Sequence, residues 1–277
     1  MSNHFYTLIT GASEGFGKAL AIECARRKMN LILVALPGAA LYSLADFITL
    51  NYAVDVKCIE KDLCKDESSI EIYNEVIALG LQINALFNNA GIGFTGLFGN
   101  GCVKQYENQI KLNVLATTLM TRLFLDMLKQ NSPSYILNVG SLASFFPLPK
   151  KQVYGATKSF IYYFSRSLRT ELKYDKVYVS VLCPGGMKTN MAVKLMIENS
   201  NHLLRLSSMD PEKVAHTVIN GILKKKMVII PGKLNKCYVL LYTILPAFIK
   251  AIITNRTMKE LDSDIHAIGL LNNPMAV

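Results

Sequence analysis

The chain has 277 residues, of which 51% are apolar and 18% are charged, and its net charge is +10. This length is enough for one large domain with a full core, and the even composition excludes low-complexity and repeat architectures. Six cysteines without a CxxC pair argue against a disulfide framework or a zinc site, and we expect no metal.

Strands and helices are predicted to alternate along the chain. The predicted strands cover residues 5–10, 30–36, 54–60, 85–89, 134–139, 177–182 and 227–231. The predicted helices cover residues 15–28, 39–51, 67–79, 103–130, 152–173 and 211–225. Several strands are nearly continuous apolar runs, which is typical of a parallel sheet with helices on both faces. The pattern predicts an α/β fold, a Rossmann-like doubly wound parallel sheet of about seven strands.

Three glycines, Gly11, Gly15 and Gly17, follow the first predicted strand, and a helical pattern begins directly after them. A strand, a glycine turn and a helix form the arrangement that holds the pyrophosphate of a dinucleotide at a helix N-terminus. The spacing is GxxxGxG rather than GxGxxG. Because many strand-to-helix turns contain glycine, this motif alone does not identify a dinucleotide site, and further motifs are needed.

Tyr154 and Lys158 lie four residues apart in a predicted helix, thirteen residues after Ser141. Side chains at this spacing share one helix face, so a phenol stands beside an ammonium. A neighbouring positive charge lowers the pKa of a phenol, which makes it a general acid or base. By itself the pair also fits a surface helix with a lysine that extends to solvent.

Further motifs follow in a fixed order: TGASEGFG (Thr10–Gly17), Asp62-Leu63, NNAG (Asn88–Gly91) and PGGMKT (Pro184–Thr189). With these motifs, the chain resembles the short-chain dehydrogenase/reductase family, in its compact single-domain branch, over about residues 3–232. The resemblance implies a catalytic tetrad of Asn113, Ser141, Tyr154 and Lys158. It also implies a set of cofactor contacts: Gly11, Ser13, Gly15, Phe16, Gly17, Asp62, Leu63, Asn89, Ala90, Gly91, Tyr154, Lys158, Pro184, Gly185, Met187 and Thr189.

The resemblance assigns each member of the tetrad a role. Tyr154 exchanges a proton with the substrate oxygen while hydride moves to or from a nicotinamide. Lys158 lowers the Tyr154 pKa and binds the nicotinamide ribose, and Ser141 stabilises the developing alkoxide. Asn113 holds a water that links Lys158 to solvent; the alternative is an ordinary helix asparagine bonded to backbone.

The cofactor type is left open between NADP and NAD. The end of the second strand has no acid to repel a 2′-phosphate, which favours NADP. However, Leu36 stands where NADP-using members of the family usually have arginine, and Glu14 in the glycine loop opposes a phosphate. We expect either cofactor to bind less tightly than in a member with a matched charge partner.

The substrate pocket is predicted to be apolar, for a ketone, aldehyde or alcohol with an apolar or acyl-type body. Its candidate residues, some of which alternatively belong to the core or to a dimer contact, are Phe94, Leu97, Phe98, Phe145, Phe146, Pro147, Leu148, Met191, Leu195 and Met196. Four lysines are predicted near its rim, where they could meet an anionic group such as a carrier phosphate: Lys150, Lys151, Lys188 and Lys194.

The C-terminal part combines apolar and basic residues. Residues 224–259 contain eight basic residues and no acidic one, and residues 238–254 form an apolar run that is too short to span a bilayer. Two interpretations remain open: a helix over the substrate pocket or at a dimer contact, or a peripheral membrane contact. For residues 233–259 we predict one or two helices, broken at Pro246, with the apolar face toward the cleft. No nucleic-acid reader motif accompanies the charge.

Taken together, residues 1–232 are predicted to form a dinucleotide-binding catalytic domain, and residues 233–277 a helical extension packed on it. The N-terminus lacks the basic n-region of a signal peptide, so we expect a cytoplasmic protein. The predicted function is a hydride-transferring oxidoreductase that forms homo-oligomers. The alternative is a catalytically weak dinucleotide-binding module that acts as a membrane-peripheral or regulatory protein.

Overall fold

The computed structural model describes residues 4–188 and 207–250, together with residues 205, 252 and 254. Seven parallel strands form one sheet in the order β3-β2-β1-β4-β5-β6-β7. The strands are β1 (Phe5–Thr10), β2 (Asn30–Ala35), β3 (Val56–Glu60), β4 (Gln82–Asn88), β5 (Ser134–Val139), β6 (Val177–Leu182) and β7 (Val228–Ile229). The predicted fold class is confirmed, and the crossover at β1–β4 is the switch point of a doubly wound sheet.

Helices cover both faces of this sheet. They are α1 (Gly15–Arg26), α2 (Ala39–Asn51), α3 (Ser68–Ala78), α4 (Val103–Ile110), α5 (Thr117–Gln130), α6 (Gln152–Glu171), α7 (Pro211–Leu223) and α8 (Lys233–Ile244). One buried cluster joins the sheet to α1, α2 and α7, through Leu20, Leu41 and Val218. A second cluster joins the opposite face to α3 and α5, through Ile72 and Phe124. Burial on both faces explains why the strands are nearly continuous apolar runs.

The predicted helix over residues 103–130 contains a π-helical segment. Between α4 and α5 the structure has a π-helical segment, Lys111–Ala116, that contains Asn113. A π-turn adds one residue to a helical turn, and such turns are frequent at functional sites. The predicted helical stretch is therefore confirmed, and the π-helical segment within it is an added feature. Apolar periodicity did not reveal this segment, because the chain stays helical through it.

The strands end at one edge of the sheet, and the motif residues follow them there. Gly11, Asn89 and Ser141 lie one or two residues beyond the ends of β1, β4 and β5. Asp62 and Gly185 follow the ends of β3 and β6 within three residues. This is the edge at which doubly wound folds bind ligands.

The predicted break at Pro246 is confirmed. Helix α8 ends at Ile244, Leu245 is extended, and residues 247–250 are helical again. Within the part of the chain that the structure describes, no helix is long and apolar enough to cross a membrane.

The predicted inward orientation of the apolar face of α8 is wrong. Its buried positions are Asn235, Val239 and Tyr242. Its large aliphatic side chains point outward and are more than half exposed: Leu234, Leu240, Leu241 and Ile244. The helix is apolar around most of its circumference, so composition alone did not determine which side packs.

Candidate active site

The glycine turn after β1 is packed tightly against the NNAG segment after β4. Gly11 has a positive φ of 63°, and a Cβ there would lie 2.9 Å from the Ala90 Cα. A Cβ on Gly17 would lie 1.9 Å from the Gly11 carbonyl oxygen. Side chains at these two positions would therefore force the turn apart, which explains why both are glycine.

Thr10 and Asn89 join the same two segments by hydrogen bonds. The Thr10 Oγ1 accepts from the amides of Asn89 and Ala90, at 3.0 Å each. The Asn89 Nδ2 donates to the carbonyl oxygens of Thr10 and Gly11, at 2.9 and 3.0 Å. The turn is thus held in place before any ligand binds.

This turn fits a dinucleotide pyrophosphate. Glu14 occupies the N-cap of α1 but makes no side-chain capping bond, and the first turn of α1 contains no acid. The helix N-terminus therefore keeps its partial positive charge for an anion. The glycines provide the close backbone approach that such a ligand needs.

Lys158 and Tyr154 lie side by side on α6, as their spacing predicts. The Lys158 Nζ is 5.8 Å from the centroid of the Tyr154 ring. The ammonium donates to the Val139 carbonyl oxygen at 2.8 Å, which ties α6 to the end of β5. Two glycines of the segment after β4 make room for these side chains: a Cβ on Gly91 would lie 3.2 Å from the Lys158 Nζ, and one on Gly93 would lie 3.2 Å from the Tyr154 ring.

The pKa values differ from the sequence-based expectation. Burial raises the pKa of Tyr154, and a hydrogen bond with the Ser141 hydroxyl opposes part of that rise. Burial also lowers the pKa of Lys158 to about 8. The expected lowering of the Tyr154 pKa by Lys158 is therefore wrong, because burial of the phenol has the largest effect on this pKa and raises it.

Ser141 lies beside this pair, at the start of the short 3-10 turn Leu142–Ser144. Its Oγ accepts from the Ala143 amide at 3.1 Å, which orients the hydroxyl. The following residue is anchored too, because the Leu142 amide donates to the Pro184 carbonyl oxygen at 2.9 Å. Three of the tetrad residues therefore meet at one point of the cleft.

Asn113 makes bonds to backbone, which is the alternative raised above. Its Oδ1 accepts from the Ile92 amide and its Nδ2 donates to the Ile92 carbonyl oxygen, both at 2.9 Å. The Nδ2 also donates to the Thr157 Oγ1 at 3.0 Å. Asn113 thus joins the segment after β4 to the helix that carries Tyr154 and Lys158, and a Cβ on Gly91 would lie 3.0 Å from its Oδ1.

The remaining predicted cofactor contacts lie at the same edge of the sheet. Asp62 accepts from the Cys64 amide at 3.0 Å, which shapes the loop after β3, and Leu63 beside it is buried. Met187 forms an isolated bridge with Met209. Thr189 lies outside the described residues, as do four pocket candidates: Met191, Lys194, Leu195 and Met196.

The described pocket candidates divide into packed and open positions. Phe145 contacts Tyr162, with ring centroids 4.8 Å apart, and Phe146 contacts Tyr242, at 4.5 Å. Leu97 and Phe98 are exposed. Lys150 is 1% exposed, so its predicted place at the pocket rim is wrong.

Sequence reasoning missed several residues that support the site. Thr157 of α6 accepts a hydrogen bond from Asn113. The Ser144 Oγ donates to the Lys158 carbonyl oxygen at 2.8 Å, and both contacts hold α6 in place. Asn235 of α8 is buried and packs on Gly185, whose Cβ would lie 2.9 Å from the Asn235 Nδ2. The sequence did contain a signal for this contact, because an asparagine buried in an otherwise apolar helix usually has a hydrogen-bond partner.

A buried polar chain lies beneath the site. The Asn88 Nδ2 donates to Thr121 Oγ1 at 3.0 Å and to Asn138 Oδ1 at 2.9 Å. The Asn138 Nδ2 donates to Ser165 Oγ at 2.9 Å. These bonds join β4 and β5 to α5 and α6, so the helix with Tyr154 is fixed relative to the sheet.

The family follows from comparison with known proteins. The short chain dehydrogenase family model matches residues 6–200. The chain belongs to the short-chain dehydrogenase family. The expected resemblance is thereby confirmed.

Two curated members of the short-chain dehydrogenase family are similar in sequence. The very-long-chain 3-oxoacyl-CoA reductase of Anas platyrhynchos is 34% identical over 193 residues, which cover 68% of this chain and 61% of that protein. The 17-beta-hydroxysteroid dehydrogenase type 3 of Homo sapiens is 32% identical, over 67% of this chain and 60% of that protein. The match thus spans about three fifths of the length of these relatives.

Two solved structures illustrate the same fold. A short-chain dehydrogenase from Sphingobium yanoikuyae in complex with NADPH is 26% identical, with a TM-score of 0.75 over 88% of this chain and 97% of that one. A bulky-bulky ketone specific alcohol dehydrogenase from Comamonas testosteroni is 25% identical, with a TM-score of 0.74 over 100% of this chain and 98% of that one.

Proposed function

We propose that the protein is an NAD(P)-dependent oxidoreductase that interconverts a carbonyl and an alcohol. The observation that carries this proposal is the meeting of Tyr154, Lys158 and Ser141 at the carboxyl edge of the sheet, next to Gly91 and Gly93. A binding module has no need for a desolvated phenol beside a buried ammonium. The NADPH complex of the Sphingobium relative supports a nicotinamide cofactor.

The glycine turn with Gly11, Gly15 and Gly17 would hold the cofactor's pyrophosphate, and Asp62 its adenine end. Lys158, Asn89 and the residues from Pro184 onward would hold the nicotinamide half. When bound, the nicotinamide supplies or accepts the hydride.

The residues of the chain then handle the proton. Burial raises the pKa of Tyr154 and so favours its protonated phenol, which can donate a proton to a substrate oxygen. The Ser141 hydroxyl, oriented by the Ala143 amide, bonds the same oxygen as charge develops on it. Lys158 keeps a positive charge below pH about 8 and stabilises the phenolate that remains.

The substrate is proposed to be apolar or acyl-type. The two relatives named above act on 3-oxoacyl-CoA and hydroxysteroid compounds, according to their names. Leu97 and Phe98 are exposed on the segment after β4 whose Gly93 lies against the Tyr154 ring, and they support an apolar partner. Half-buried Lys151 and Lys188 remain as candidates for an anionic group on an acyl carrier.

Turnover on a carbonyl panel tests this function. We expect oxidation of NADH or NADPH with medium and long 3-oxoacyl thioesters or with ketosteroids, and much less with short polar ketones. Tyr154→Phe provides the inactive control. Cofactor binding without turnover of any substrate on the panel would favour the alternative of a binding module.

A peripheral membrane contact through α8 is proposed in addition. The exposed face of α8 carries Leu234, Leu241 and Ile244, and Phe248 beyond the break is also exposed. Lys233 and Lys236 on the same helix are exposed, and residues 224–259 contain no acid. An apolar stripe with basic neighbours suits an anionic lipid surface. A two-fold contact between two copies of the chain would instead bring the lysines of one copy close to the same lysines of the other.

Vesicle binding tests this contact. We expect co-sedimentation with vesicles containing phosphatidylserine, weakened by high salt and by Leu241→Glu with Ile244→Glu. The control Lys173→Glu changes charge just beyond the C-terminal end of α6. Equal binding of all variants contradicts the assignment, whereas self-association lost in the α8 variant identifies a second copy as the occupant. Three further expectations remain proposals: a cytoplasmic location, a homo-oligomer, and the division of the chain into a catalytic domain (residues 1–232) and a helical extension (residues 233–277).

A further inference from the structure

The end of β2 lacks the acid that usually contacts the adenosine ribose. In doubly wound dinucleotide-binding folds, an acid at this place bonds the ribose hydroxyls, and its charge opposes a 2′-phosphate. Here β2 ends at Ala35 and is followed by Leu36, which is 62% exposed. Considered alone, this strand leaves room for a phosphate.

The neighbouring strand fills that place with an acid. In the register of the sheet, Ala35 pairs with Glu60, the last residue of β3. The Oε1 of Glu60 accepts from the Gly38 amide at 2.9 Å. Because Gly38 is the N-cap of α2, the carboxylate lies over the turn that joins β2 to α2. The turn thus offers the Glu60 carboxylate an amide donor at a helix N-terminus.

The surroundings of this turn are negative as well. Glu14, in the glycine turn, is exposed at the N-cap of α1. Glu60 is the largest cause of the raised pKa of Tyr42 in the first turn of α2, so its field reaches the surface there. The next lysine along the chain, Lys61, pairs with Glu71 at 2.9 Å.

We propose that Glu60 replaces the missing acid of β2 and selects NAD(H) against NADP(H) at the adenosine ribose. This inference rests on the proposed function. A carboxylate accepts hydrogen bonds from ribose hydroxyls, whereas a 2′-phosphate would bring a charge of about −1.5 to −2 beside it. On this proposal the chain prefers NAD(H), whereas the end of β2 considered alone favours NADP, because the register of β2 and β3 supplies a charge that β2 lacks.

Binding of cofactor fragments tests the inference without any need for turnover. ADP-ribose and its 2′-phosphate differ only at the position in question, and both can be titrated by calorimetry. We expect the wild-type protein to bind ADP-ribose about tenfold more tightly than the 2′-phosphate. Glu60→Gln keeps an acceptor for the Gly38 amide but removes the charge, so we expect it to bind the 2′-phosphate about tenfold more tightly than wild type does.

The matched control is Asp46→Asn, which removes the same charge from an exposed position of α2, eight residues after Gly38. We expect this control to leave the ratio of the two affinities unchanged. The inference is overturned if wild type prefers the 2′-phosphate, or if Glu60→Gln and Asp46→Asn change the ratio equally. If the protein binds neither fragment, both this inference and the proposed function are overturned. If it prefers the 2′-phosphate, only the inference is overturned and the proposed function is unaffected.

Discussion

Asn113 binds Thr157 of the neighbouring helix α6, with its Nδ2 donating to the Thr157 Oγ1 at 3.0 Å. Thr157 directly precedes Lys158, and its Oγ1 donates to the Tyr154 carbonyl oxygen at 2.8 Å. One asparagine in a π-helical segment therefore positions the turn of α6 that carries both titratable groups.

Asn113→Ala should lower the free energy of unfolding by about 1–3 kcal/mol, because it leaves polar partners at Ile92 and Thr157 unsatisfied. It should also reduce kcat more than cofactor affinity, since α6 loses its tie to the segment after β4. Chemical denaturation and steady-state kinetics measure the two effects. Asn108→Ala in α4 is the matched control, and an equal loss in both variants would contradict a positioning role.

Tyr154→Phe should reduce turnover by about 10²–10⁴-fold, which is the usual contribution of a general acid. Cofactor affinity should change little, because the ring and its packing against Gly93 remain. Tyr162→Phe, on the same helix, should keep normal turnover. Near-normal activity of Tyr154→Phe with any substrate of the wild type would refute the assignment of the proton donor.

The two directions of the reaction should respond differently to pH. Alcohol oxidation needs the Tyr154 phenolate, and the raised pKa of Tyr154 means that its rate should rise with pH through the alkaline range. Carbonyl reduction needs the phenol and should fall over the same range. Initial rates in both directions at saturating cofactor measure this, and parallel profiles would show that another group limits the rate.

Lys158 should make stability depend on pH between about 8 and 10.5. In this window the unfolded chain binds the proton at Lys158 and the folded protein does not, so the free energy of unfolding rises with pH. Below pH about 8 both states are protonated and the contribution is flat. In wild type the free energy of unfolding should rise by on the order of 3 kcal/mol over this window, and Lys158→Met should remove that rise. Chemical denaturation of both proteins at several pH values measures it. An unchanged pH slope in this variant would mean that Lys158 stays charged when the protein folds.

Asn235→Ala should loosen α8 and weaken cofactor binding. The Asn235 Nδ2 donates to the Pro231 carbonyl oxygen at 2.9 Å and to that of Ser207 at 3.2 Å, and the side chain packs on Gly185. Calorimetry with cofactor and thermal unfolding measure the two effects. Thr243→Ala on the exposed side of α8 is the control. Unchanged cofactor affinity in Asn235→Ala would place α8 outside the site.

The sequence by itself determined the alternation of strands and helices, the edge at which the motifs gather, and the pairing of Tyr154 with Lys158. These features depend on periodicity and on spacing within one element, and both are local. The break at Pro246 belongs with them, because a proline lacks the amide that a continuing helix needs.

Only the tertiary structure decided which distant groups meet. Glu60 reaches the turn after Ala35 through the register of two strands, and Asn235 reaches Gly185 through the packing of α8. The pKa of Tyr154 likewise depends on burial by the whole fold, which no local spacing contains. The outward apolar face of α8 has the same origin, because a helix that is apolar nearly all round can pack on several sides, and its neighbours select one.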